Sequence, residues 1–197
     1  MPRSITCSRW CARRFERFPI IDVATHSQLC EAGLEQEISR VQPILETPDD
    51  IDHLGYGQHL LLWAFRATAM GHADCPTLRK AFHAACLGLE DEALMALMVV
   101  VRTLGFCGRR KMRLHVPGCR CVSPDERTIL SLFAAAKTSV EMGDEREVLV
   151  ELAALVDPSL NEGLLLALQT VTSAIETNGH AVMLGEPEGY APKRVLH

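Results

Sequence analysis

No stretch of this 197-residue chain is both long and apolar enough to read as a membrane span. The longest uncharged runs, Leu54–Phe65 and Gly163–Ile175, fall short of the ~18–20 apolar residues a helical span needs, and both contain polar residues. An export signal is not legible either. Arg9, Arg13, Arg14 and Arg17 resemble a charged leader, but Pro19 and Asp22 interrupt the apolar stretch that should follow. Aromatic residues make up only 5% of the chain, and internal repeats and low-complexity tracts are absent. So are a glycine-rich phosphate loop, a metalloprotease helix motif and a nucleophile elbow, which leaves a redox or hydrolytic enzyme only as a third reading that would need an accessible low-pKa thiol or an unrecognised pocket. What is present excludes a disordered protein. Residues are 48% hydrophobic and the net charge is only −5, enough apolar material for one compact domain.

The eight cysteines are Cys7, Cys11, Cys30, Cys75, Cys86, Cys107, Cys119 and Cys121. Disulfide frameworks belong mainly to small secreted domains, whereas this chain is long enough to bury a core and spaces its cysteines unevenly. The expectation is a reducing, cytoplasmic setting with mostly free thiols.

Helix signals fill the middle of the chain. Thr47-Pro48-Asp49-Asp50 offers an N-cap, a proline at the first position and acids in the first turn. Leu60–Phe65 is apolar on every side and predicts a buried helix running to Met70, stopped by Gly71. A second helix begins at Cys75-Pro76. A third runs from Glu90-Asp91-Glu92 to Leu104, with Gly105 in the terminating position. Ser123-Pro124-Asp125-Glu126 and Ser159-Leu160-Asn161-Glu162 read as capping boxes. The first opens a helix with Ile129, Phe133, Ala136 and Val140 on one stripe. The second opens one striped by Leu164, Leu165, Leu168, Val171 and Ile175, closed at Asn178-Gly179. Between them Val148, Leu149, Leu152 and Val156 share a face. The expected fold is a mainly all-α single-domain bundle or orthogonal array of six to seven helices, occupying residues 47–180. Residues 1–46 read as a basic segment with a weak helix at Glu31–Gln42, and residues 181–197 as a flexible tail.

One segment breaks the helical rhythm. From Lys111 to Val116 apolar and charged residues alternate, a period of two that predicts a short strand. Pro117-Gly118 makes a turn, and Arg120–Val122 would return to complete a β-hairpin near 110–122. In this reading Arg109, Lys111, Arg113 and His115 project from one side of the strand, opposite Met112, Leu114 and Val116.

Charge is segregated in the same place. No acidic residue lies between Glu92 and Asp125, while Arg102, Arg109, Arg110, Lys111, Arg113 and Arg120 are all basic. Such a face attracts anions: nucleic acid, a phosphorylated ligand or an acidic protein surface. A charged edge strand that merely resists aggregation explains the same pattern. Sequence-specific DNA reading by a winged helix does not fit, because Ala93–Val101 offers only apolar side chains where base-reading groups belong.

Two Cys/His sets carry ligand types that zinc accepts. In the first, Cys107, His115, Cys119 and Cys121, the hairpin would turn His115 away from the cysteines. The second is His72 and Cys75 with His83 and Cys86, two His-x-x-Cys pairs eleven residues apart. The sequence is therefore read as a non-enzymatic regulatory or adaptor protein without a cofactor. It binds an acidic macromolecular partner through Arg109, Lys111, Arg113, His115 and Arg120, and a homodimer is compatible with its many apolar helices. The alternative is a zinc-dependent sensor or zinc-stabilised nucleic-acid-binding protein using His72, Cys75, His83 and Cys86.

Overall fold

A computed structural model describes residues 21–24, 51–177 and 179. Expectations for the weak helix at Glu31–Gln42, the Thr47–Asp50 cap, Cys7, Cys11, Cys30 and the C-terminal tail lie outside the described residues. Six α-helices dominate what is described: α1 (Tyr56–Ala69), α2 (Pro76–Cys86), α3 (Glu90–Cys107), α4 (Pro124–Met142), α5 (Arg146–Leu155) and α6 (Asn161–Glu176). Strands β1 (Ile21–Ala24) and β2 (Met112–His115) pair in parallel, with Ile21 opposite Met112 and Ala24 opposite His115. The fold is all-α in its main mass. None of its described helices is long and apolar enough to cross a membrane.

Local signals account for most boundaries. Pro76 opens α2 where its missing N–H costs nothing, and Ser123 opens α4 with a complete capping box. Ser123 Oγ accepts from the Glu126 N–H at 3.2 Å, while a Glu126 carboxylate oxygen accepts from the Ser123 N–H at 2.8 Å. Gly143 closes α4 at φ +66°, a conformation that favours glycine.

Three expectations are corrected. Helix α3 runs through Gly105 to Cys107: Gly105 is buried within the helix, and the chain leaves it at Gly108 in an extended conformation. The Ser159 capping box does not form. Asp157 accepts from both the N–H and the hydroxyl of Ser159, drawing it into a 3-10 turn (Pro158–Leu160) that precedes α6. The hairpin near 110–122 is also absent. Pro117-Gly118 does turn the chain, with the Cys119 N–H bonded to the Val116 carbonyl, but the return segment pairs elsewhere: Arg120 O accepts from Ile51 N–H. The reason is that side chains from α4 occupy the edge of β2 that a hairpin partner would need. The Asp125 carboxylate accepts from Arg113 N–H, the Glu126 carboxylate accepts from His115 N–H, and Ser123 Oγ donates to Arg113 O. With β1 on its other edge, β2 is capped on both sides.

Helix α6 is the axis of the molecule, packed against α2, α3, α4 and α5. Its stripe of Leu164, Leu165, Leu168, Val171 and Ile175 is wholly buried. Leu60, Leu61, Leu62, Ala64 and Phe65 of α1 and Ala93, Leu97, Val100 and Val101 of α3 join the same core. Val140 is exposed, unlike Ile129, Phe133 and Ala136 earlier on its stripe, while its neighbour Ser139 is buried.

Candidate binding surface

Arg66, in the last turn of α1, is completely buried among the apolar residues of that helix. A buried guanidinium persists only when its donors are satisfied, and here they are. Its Nε and Nη2 grip both oxygens of Glu126 at 2.7 and 2.8 Å, while Nη1 and Nη2 donate to the carbonyls of Cys119 and Cys121. Glu126 is equally buried, and it also receives the N–H groups of His115 and Ser123 and faces His115 Nδ1 at 2.9 Å. Burial alone would raise the Glu126 carboxyl pKa. Hydrogen bonds from His115 and Arg66, with the Arg66 charge, outweigh it and hold the value at about 2. This cluster joins α1, β2, the loop after β2 and α4, so the backbone carrying the basic residues is anchored from beneath.

The predicted binding residues divide around that anchor. Arg109, Lys111, Arg113 and Arg120 are exposed. His115 is not: its side chain is buried against Glu126, so it leaves the basic face. The alternation fails at this position because the first turn of α4 lies against β2 there and supplies a carboxylate to receive the imidazole. Arg120 forms an ion pair with Asp52, and Arg110 with Asp125. Arg109, Lys111 and Arg113 form no ion pair among the described residues. Beside this ridge lies a groove of about 860 Å³, lined in part by Leu54, Arg110, Val122, Arg127, Leu130 and Leu155. Its walls are mainly apolar and Arg110 stands where groove and ridge meet.

The four residues proposed as zinc ligands are not gathered. Cys75 and Cys86 are buried, His72 is half-buried, and His83 stands in solvent against Glu90 at 2.7 Å. Burial, then the Glu90 charge, pushes the Cys86 thiol up to about 11, away from the thiolate that zinc binds. In the other set Cys107 is exposed while Cys119 is buried. Among the described residues no group of three or more His, Cys, Asp or Glu side chains is arranged to hold a metal ion.

Sequence pattern alone does not single out Arg66. A lone charge inside the mainly apolar run from Leu60 to Ala69 is either exposed by the helix turn or paired in the core. The capping pattern accounts for half of the role of Glu126; the other half is its pairing with Arg66. No family model, curated protein or solved structure matches the chain.

Proposed function

We propose that this protein is a non-enzymatic regulator or adaptor that binds an acidic macromolecular partner through the ridge formed by Arg109, Lys111 and Arg113, with Arg120 at its flank. The observation that carries the reading is the contrast within the basic segment. Arg110 and Arg120 are paired with acids of this chain, whereas Lys111 and Arg113 form no ion pair among the described residues, and Arg109 forms none although its charge acts on Asp157. A cation already paired in the free protein gains little from an external anion, because its own partner must first be displaced. Unmatched cations on an anchored backbone are available, and their side chains alone must be ordered on binding. The adjoining apolar groove supplies a place for an uncharged side chain of an acidic protein partner, which favours protein over nucleic acid. The free thiols of Cys86, Cys107 and Cys119 support the reducing, cytoplasmic setting that belongs to this reading.

The test is the triple variant R109E/K111E/R113E, assayed by fluorescence anisotropy with a labelled acidic peptide containing leucine and with a DNA oligonucleotide of similar charge. Binding of the peptide that weakens as salt rises and vanishes in the variant, with the circular-dichroism spectrum unchanged, supports the reading. Tighter binding of the oligonucleotide moves the partner to nucleic acid. Peptide and oligonucleotide binding that survive the triple reversal overturn the assignment of this surface.

A further inference from the structure

Helix α3 carries apolar residues on two sides, a buried one and an exposed one that also holds two charges. One side, with Ala93, Leu94, Leu97, Val100, Val101 and Leu104, is buried in the core. The other faces solvent and carries Glu92, Met95, Val99, Arg102 and Phe106. Met95 is 60% exposed and Val99 45%. These residues follow one another at intervals of three, four, three and four, the spacing of a coiled-coil seam. An isolated surface helix has no need of a second apolar stripe.

The stripe is complementary to itself when reversed. Two copies of α3 laid antiparallel about a two-fold axis level with Leu97 set Met95 against the second copy's Val99. The same operation sets Glu92 against the second copy's Arg102. All of these pairings follow from one symmetry operation, as an isologous interface requires. The parallel arrangement at the same register would oppose Glu92 to Glu92 and Arg102 to Arg102, so charge selects the antiparallel one. Neither Glu92 nor Arg102 has an ion pair among the described residues, although the neighbouring acids Asp91 and Glu90 do, with Arg79 and His83.

We infer that the exposed face of α3 is a homodimer interface, in which two copies pack antiparallel with Met95 and Val99 at the centre and Glu92–Arg102 pairs on either side. It does not depend on the function assigned to the Arg109–Arg113 ridge.

Sedimentation equilibrium of the full chain across micromolar concentrations tests it, with circular dichroism confirming that each variant is folded. The natural chain should self-associate to a dimer. E92R and R102E should each weaken the dimer by roughly tenfold or more, since each replaces two attractive pairs by two repulsive ones. The double variant E92R/R102E should return the dissociation constant to within about threefold of the natural value, because the reversed pairs again attract. Met95→Asp, which places a charge at the centre, should yield monomer. A natural chain that stays monomeric overturns the inference. So does a dimer indifferent to these substitutions, or one that the double reversal fails to restore.

Discussion

At the scale of single residues, the cluster of Arg66, Glu126 and His115 governs the charge chemistry of the interior. Removing one member of a buried pair leaves the other uncompensated, which costs about 3–5 kcal/mol. Glu126→Gln should therefore lower the free energy of unfolding in urea by that order, far more than an exposed charge removal such as Glu147→Gln, within about 0.5 kcal/mol. The same cluster predicts a pH response. Glu126 is held at about 2 in the folded protein, below its ordinary value of 4.5, so its contribution is fully present above that ordinary value. It is lost as pH falls through 4.5 towards 2, and amounts to about 3 kcal/mol. Urea unfolding from pH 6 to pH 2.5 should show this acid limb in the natural chain and a shallower one in Glu126→Gln. Equal acid limbs would mean that other carboxylates carry the effect. Sequence pattern places Glu126 at a helix start, but its second partner comes from a helix sixty residues away.

At the scale of elements, two serines that read alike in sequence behave differently. Ser123 caps α4 and also donates to the Arg113 carbonyl, so it ties the helix start to the strand. Ser123→Ala should cost about 1–2 kcal/mol in thermal or urea unfolding. Ser159 is held by Asp157 outside α6, and Ser159→Ala should change stability by less than about 0.5 kcal/mol. The strand itself was legible from the alternation of Lys111–Val116, and its observed extent lies within that run. Its partner was not. Strand β1 is four residues long and some ninety residues earlier, and nothing in Ile21–Ala24 marks it as a mate for Met112–His115. The expected hairpin was excluded by Asp125 and Glu126 reaching the strand edge as side chains, a competition that local turn chemistry does not contain.

At the scale of the whole molecule, the core is organised around α6. Leu168 is buried there, and Leu168→Ala should destabilise by about 2–5 kcal/mol through lost transfer energy and the cavity left behind. Leu166, two positions away and pointing outward, should tolerate the same change within about 0.5 kcal/mol. A chemical-denaturation midpoint for each variant separates them, and comparable losses would show that α6 is not the axis of packing. The charge of the molecule is likewise arranged rather than merely summed. A net charge of −5 coexists with an outward cationic ridge in part because nearby acids are committed, Asp125 to Arg110 and to β2, Asp52 to Arg120, while Asp157 feels the charge of Arg109 without pairing with it.

The amino-acid sequence by itself determined the helices and their buried faces, because capping groups, proline positions and a 3.6-residue apolar period act within a few residues of one another. It also determined that one acid-free segment would carry concentrated positive charge. Only the tertiary structure decided which of those cations remain available. His115 is withdrawn by Glu126, Arg110 and Arg120 are matched by acids, and Arg109, Lys111 and Arg113 are left facing outward. The physical reason is range: periodicity reports which way a side chain points from its own helix or strand, whereas pairing of charges depends on which distant segment is packed against it.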